Sequence, residues 1–311
     1  MKTIKSNSLE IFKTNEYFET KIGLVSNNAY LSIIATNKCQ CSCPYCINSE
    51  TDHNLNLPIE KAVNNITKLV EHYKTREAII LGGEPLLHPE ILSLIRELRI
   101  KSNLELIRLT TNGIKLKNNP SFIKSLVDEK YGIQGLNISF HNEQFMTLHE
   151  LKQVYSWVKE FNPNIKIRIN TNIWRGNLDN IDLLNQHLEN ISFVDEVRVS
   201  NIIEKDSFSV NPINKGSNLV LSDDEYISIF NSLLKRYEND VTIIENENAL
   251  GFVRYLLIPI KCPIIINWNL DSRVSDQVCE NDIKNRKINT FKCLVNGEIS
   301  LSWNNSNIIK I

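Results

Sequence analysis

Four of the seven cysteines fall within eight residues, Cys39-Gln40-Cys41-Ser42-Cys43-Pro44-Tyr45-Cys46. Three of them, Cys39, Cys43 and Cys46, are spaced C-x3-C-x2-C. Thiolates this close in sequence can converge on one metal centre, and several chemistries compete for them. A structural zinc site draws its ligands from two separated pairs, and this segment is too cramped for that. Cys43-Pro44-Tyr45-Cys46 alone matches a dithiol redox motif, but that reading ignores Cys39 and asks for a much smaller fold. An electron carrier of the ferredoxin kind needs a fourth ligand, and Cys41 sits too close to its neighbours to supply it. A [4Fe–4S] cluster held by three thiolates leaves one iron open to a ligand. Cys41 is then an incidental loop thiol.

The elements that must position this loop follow an alternating rhythm. An apolar run, Tyr30 to Ala35, reads as a buried strand leading into the cysteines. Pro58 to Tyr73 carries apolar residues at helical spacing, with proline suited to the first turn. A strand, Ala78 to Leu81, runs into Gly82-Gly83-Glu84-Pro85, and a helix opens at Pro89, with His88 at its entry. Strands at Leu104–Leu109, Leu136–Phe140, Ile165–Ile169 and Val194–Val199 then alternate with helices near 121–128, 145–161 and 178–188. Thr147 and Glu150 have the spacing of a capping box for the second of these helices. Six strands alternating with helices imply a parallel sheet with the helices outside. Spacing alone leaves an open sheet and a partial barrel both compatible. After Ile202 the rhythm breaks: 204–219 reads as a polar loop, and Ser222 to Glu225 caps a helix. Phe291 to Trp303 reads as a hairpin turned at Asn296-Gly297.

The chain of 311 residues has a formal net charge of -1. Near-neutrality gives no electrostatic reason to expect nucleic acid or an anionic membrane as a partner. No apolar run approaches the ~18 residues of a spanning helix, and the first twenty residues lack the apolar core of a signal peptide. Clustered cysteines without a disulfide-like spacing fit a cytoplasmic protein.

Over about residues 30 to 200 the sequence resembles the radical SAM superfamily, whose signature is C-x3-C-x2-C, usually with an aromatic before the last cysteine. Tyr45 fills that position. The resemblance implies a [4Fe–4S] cluster on Cys39, Cys43 and Cys46, with S-adenosylmethionine (SAM) on the open iron. It also implies that Gly82, Gly83, Glu84 and Pro85 hold the SAM amino group. The two glycines are expected to let backbone approach the ligand, and Glu84 or backbone carbonyls to accept from its ammonium. Asn112, Ser139, Arg168 and Asn170 match strand-end positions that line the SAM pocket in the family; Arg168 is a candidate partner for the SAM carboxylate.

The expected fold is therefore α/β, a partial (β/α)6 TIM-like barrel with a smaller C-terminal α+β cap. Its parts are an N-terminal segment (1–29), the core (30–203) and the extension (204–311). The expected activity is cleavage of SAM to a 5′-deoxyadenosyl radical that abstracts hydrogen from a peptide. The alternatives are a small molecule such as a sugar or nucleotide, or an iron–sulfur carrier or sensor without turnover. A reductant such as flavodoxin or ferredoxin is the expected partner. Cys262, Cys279 and Cys293 lack the tight grouping of an auxiliary cluster, and His141 is the one histidine expected near a substrate.

Overall fold

The computed structural model describes residues 16–43, 45–46, 54–202, 218–247, 252–257, 260, 262–267, 286–303 and 307–310. In chain order its strands are β1 (Tyr17–Thr20), β2 (Gly23–Ile34), β3 (Glu77–Leu81), β4 (Leu106–Thr111), β5 (Gly135–Ser139), β6 (Lys166–Ile173), β7 (Glu196–Asn201), β8 (Val241–Glu247), β9 (Phe252–Leu257), β10 (Pro263–Asn267), β11 (Lys287–Cys293) and β12 (Ile299–Ser300). Its α-helices are α1 (Ile59–Tyr73), α2 (Ile91–Lys101), α3 (Pro120–Leu126), α4 (Leu148–Phe161), α5 (Ile181–Asn190) and α6 (Asp223–Arg236). The chain divides into two compact units. Among the described residues, one takes those of 16–138, 149–166 and 286–310; the other takes those of 139–148 and 167–267.

In the first unit β2, β3, β4 and β5 run parallel to their neighbours, as the alternation with helices requires. Residues alternate between the two faces of this sheet. Leu31, Ile33, Ala78, Ile80, Ile107, Leu109, Leu136 and Ile138 are fully buried and form one apolar face. Helix α1 supplies a matching stripe of Ala62, Val63, Ile66, Leu69, Val70 and Tyr73, and Tyr73 meets Phe291 of β11 with ring centroids 5.2 Å apart. Helix α1 starts after Pro58 and ends at Lys74, which takes the left-handed conformation at φ 55. Helix α3 is capped by Asn119, whose side chain accepts from the Phe122 N–H at 3.2 Å.

Two features of this unit depart from the sequence expectation. Strand β2 begins at Gly23, well before Tyr30, because β1 pairs antiparallel with its first residues. The expected hairpin near residue 296 is present, with β12 antiparallel to β11 and Gly297 at φ 82. It does not stand alone. Strand β11 pairs in parallel along β2, Phe291 beside Leu31 and Cys293 beside Ile33.

In the second unit β6 and β7 are parallel, β10 joins β7 in parallel, and β9 and β8 follow antiparallel. Helix α6 carries the expected capping box: Ser222 Oγ accepts from the Glu225 N–H at 3.3 Å and the Glu225 carboxylate accepts from the Ser222 N–H at 2.8 Å. Strands β8, β9 and β10 were not expected from the sequence. The loop expected over 204–219 lies almost wholly outside the described residues, as does Cys279. Among the described residues no helix is long and apolar enough to cross a membrane.

His141 belongs to this second unit and is packed inside it. It is 4 % exposed, its Nδ1 accepts from the Asn172 N–H at 2.9 Å, and its ring meets Phe145 and Trp174 edge-on. His187, also buried, lies 2.9 Å from the Thr171 hydroxyl. Burial lowers His141 to about 3 and His187 to about 4. Both are neutral in the fold, whereas an unfolded chain takes up their protons near pH 6.5. Their contribution to stability is therefore complete above about pH 6.5 and is lost as pH falls toward 4, at about 1.4 kcal/mol per pH unit for each. Chemical denaturation between pH 7 and 4.5 should show this slope, and His187→Gln should remove a share of it. A variant with the wild-type slope would refute the assignment.

Candidate radical SAM site

The cysteine loop is an excursion closed at its neck. Thr36 bridges Asn56, and its buried hydroxyl bonds the Leu55 carbonyl at 2.9 Å and Asn56 Oδ1 at 2.8 Å. Leu57 N–H donates to the Ala35 carbonyl at 2.9 Å. His88, anticipated only as a helix-entry residue, ties the start of α2 to this neck. Its Nε2 lies 3.1 Å from the Leu57 carbonyl, while its Nδ1 accepts from the Glu90 N–H. With Nδ1 accepting, Nε2 carries the proton.

The Gly-Gly-Glu-Pro turn continues the pairing of β3 with the chain that leads into Cys39. Gly83 N–H donates to the Thr36 carbonyl at 2.8 Å and Glu84 N–H to the Lys38 carbonyl at 2.7 Å. A Cβ on Gly82 would lie 2.3 Å from the Thr36 oxygen, and one on Gly83 would lie 2.4 Å from the Lys38 oxygen. The close approach that the glycines permit is thus between two stretches of this chain. The sequence expectation assigned it to a ligand.

The Glu84 side chain has partners within the chain. Its carboxylate is 1 % exposed and accepts from Leu86 N–H at 3.0 Å, Thr111 Oγ1 at 2.7 Å and Asn112 N–H at 2.8 Å. Burial raises its pKa, while the Thr111, Asn112 and Leu86 bonds act against the rise. Glu84 therefore fastens the end of β4 to the turn, and its oxygens are already supplied with donors. Pro85 opens the short 3-10 turn that Glu84 caps. Asn112 carries the connection on: its amide reaches Cys41 Sγ at 3.5 Å and Gln40 Nε2 at 3.4 Å. A chain of bonds thus runs from the buried Glu84 through the end of β4 to the cysteine loop. Nothing in the sequence marked Thr36, Thr111 or Gln40 for these roles.

Cys39, Cys41, Cys43 and Cys46 are of intermediate exposure and form no disulfide, and the loop turns tightly, Cys46 N–H meeting the Cys43 carbonyl at 3.1 Å. Burial, then the neighbouring Cys39 and Cys43, push the Cys41 thiol up to about 12. Burial also raises Cys43, offset in part by a hydrogen bond with Tyr45. Among the described residues no three His, Cys, Asp or Glu side chains are grouped to hold a single metal ion. Single-ion coordination places every thiolate about 2.3 Å from one point, whereas a cluster takes its thiolates on separate irons. Three neighbouring soft donors on one loop fit the cluster.

The remaining expected residues lie on the other unit's strands. Ser139 ends β5 and is half-buried. Arg168 is held by the carboxylate of Glu196 on β7, both side chains being largely buried. Asn170 gives its backbone carbonyl to Phe140 N–H at 3.0 Å, and its side-chain Oδ1 is buried with no hydrogen-bond partner. Cys262 and Cys293 are buried, each thiol pushed up to about 12 by that burial.

The Radical SAM superfamily family matches residues 33–194, over half of the chain. The chain belongs to the radical SAM superfamily. This superfamily's members are enzymes, and the cofactors of a radical SAM chain are a [4Fe–4S] cluster and S-adenosylmethionine. Among curated proteins the chain is similar to the GTP 3′,8-cyclase of Clostridium perfringens, 33% identical over 175 residues, covering 52% of each chain. It is also similar to the GTP 3′,8-cyclase of Chlorobaculum tepidum, 25% identical over 155 residues, covering 47% of this chain and 46% of that one. The chain thus spans about half the length of the curated relatives it matches. Among solved structures it is similar to SuiB of Streptococcus suis bound to S-adenosylmethionine, with a TM-score of 0.60 at 14% identity, covering 92% of this chain and 64% of that one. That likeness shows the fold, an α/β radical SAM fold of the partial TIM-like barrel type.

Proposed function

We propose that this radical SAM protein acts on a nucleotide, using Cys39, Cys43 and Cys46 to hold its cluster. The observation that carries the substrate class is the 33% identity to a relative named for its action on GTP. The peptide expected from the sequence has less support, because the likeness to SuiB is one of fold. When bound, the cluster and SAM supply a 5′-deoxyadenosyl radical for hydrogen abstraction. The chain's own residues fix where this happens. The Thr36–Asn56 neck sets the cysteine loop at the carboxyl end of β2, where ligands collect in parallel α/β architectures. Glu84 and Asn112 brace that loop from β3 and β4. A small reducing protein such as flavodoxin or ferredoxin is the proposed electron donor.

The test is anaerobic reconstitution and dithionite reduction, followed by SAM with or without GTP, and measurement of 5′-deoxyadenosine by mass spectrometry. We expect 5′-deoxyadenosine above background, at a rate raised by GTP. An intact cluster that yields none would remove the catalytic reading. Stimulation by peptides but not by nucleotides would return the substrate to the other class.

A further inference from the structure

We infer that the face of the parallel sheet carrying Arg108, Thr110 and Asn137 recognises the base of a guanine nucleotide. This rests on the nucleotide reading above and assigns the residues that read the base. The register sets Arg108 beside Gly135 and Thr110 beside Asn137, on the face opposite the fully buried Leu109, Leu136 and Ile138. That face is not sealed: Ile79, Leu81, Arg108 and Thr110 are all of intermediate exposure. Apolar side chains interrupted by a few fixed polar groups are the usual lining of a small-molecule site.

Two details of this face bear on a ligand. Asn137 is 3 % exposed; its Nδ2 donates to Thr110 Oγ1 at 3.1 Å, yet its Oδ1 is buried with no hydrogen-bond partner. Burying an amide oxygen without a donor is unfavourable. Because that desolvation is completed in folding, a ligand donor arriving there meets an acceptor already stripped of water. The second detail is Gly135, the first residue of β5. A Cβ there would lie 2.9 Å from an Arg108 guanidinium nitrogen and 3.0 Å from its Cγ. Glycine is what lets Arg108 lie flat across β5.

The pair then presents an acceptor and a planar fork of donors on one face. Positions two apart along a strand lie roughly 6.6 Å from each other and adjacent strands roughly 4.8 Å, a span that one bicyclic base covers. Guanine offers N1–H and 2-amino donors on one edge and O6 and N7 acceptors on another, the latter being the arrangement that arginine binds with two bonds. The guanidinium has five donors and can serve the base alongside its contacts within the protein. Thr110 stands two residues before Asn112, whose amide reaches Cys41, so the base would be held near the cysteine loop.

The test is equilibrium dialysis of GTP, ATP and SAM against the anaerobic holoenzyme and its variants. Wild type should prefer GTP to ATP, since adenine lacks both N1–H and O6. Asn137→Leu should weaken GTP by about ten-fold or more and abolish the preference, leaving SAM binding unchanged and thermal stability equal or higher. Asn137→Asp keeps an acceptor and should retain most of the GTP affinity. Gly135→Ala displaces Arg108 without touching Asn137 and should also weaken GTP, which covers a failure of the leucine variant to fold. If these variants bind GTP like wild type, or lose SAM instead, the base assignment is overturned and the nucleotide reading stands. If wild type binds no guanine nucleotide, both are overturned.

Discussion

Alanine at Cys39, Cys43 or Cys46, one at a time, should strip the protein of iron and end 5′-deoxyadenosine formation, while Cys41→Ala should keep both. A complete cluster carries about four irons per chain, so the contrast is between near-full and near-zero loading. The expectation follows from spacing and is sharpened by the environment of Cys41. That thiol accepts a hydrogen bond from Asn112 at 3.5 Å. Its loss removes one weak sulfur bond from the bracing of the loop. Iron analysis with the absorbance of the reconstituted proteins decides the matter, and iron loss in Cys41→Ala equal to the other three would overturn the ligand set.

Gly83→Ala should be nearly as damaging without removing any functional group. The new methyl would meet the Lys38 and Asn37 carbonyl oxygens at 2.4 and 2.6 Å. Both are backbone atoms and neither can swing aside. The segment leading into Cys39 must shift, and with it the Glu84 N–H bond to Lys38. Overpacking of this kind costs about 1–3 kcal/mol, a fall in melting temperature of about 2–4 °C for each kcal/mol. The larger effect is on cluster loading, expected to fall several-fold. Gly176→Ala is the control. No atom lies within 4 Å of its new methyl, but its φ of +89 makes alanine strained. It should lose stability and keep its iron. Equal iron loss in both variants would mean that the effect is general destabilisation.

The parts of the fold governed by local chemistry were legible in the sequence. Strand β3 and helices α1 and α6 lie within a residue or two of their apolar patterns and caps, because Pro58 and the Ser222–Glu225 box act over a few residues. The parallel partnership of β11 with β2 was not legible, since Phe291 carries no mark of its distant neighbour Leu31. The site divides the same way. The cysteine spacing and the Gly-Gly-Glu-Pro turn could be found as motifs, but what the turn does could not. Glycine reads equally as room for a ligand and as room for the chain's own backbone. A glutamate gives no hint that Thr111, Asn112 and Leu86 will occupy its oxygens. Arg168 was similarly ambiguous until Glu196 appeared beside it.

The pairing of β11 along β2 has a consequence for assembly. The strand that launches the cysteine loop is flanked by β3 on one side, but its other neighbour is made only after most of the chain has been synthesised. Until then β2 presents an unpaired edge beside the four cysteines of the loop, in a contact pattern that is slow to close. Iron–sulfur loading is therefore best timed after β11 has docked, and a ribosome-stalled chain ending before Lys287 should bind iron poorly despite carrying every cysteine of the loop. The metal centre at the front of the sequence waits on a strand near its other end.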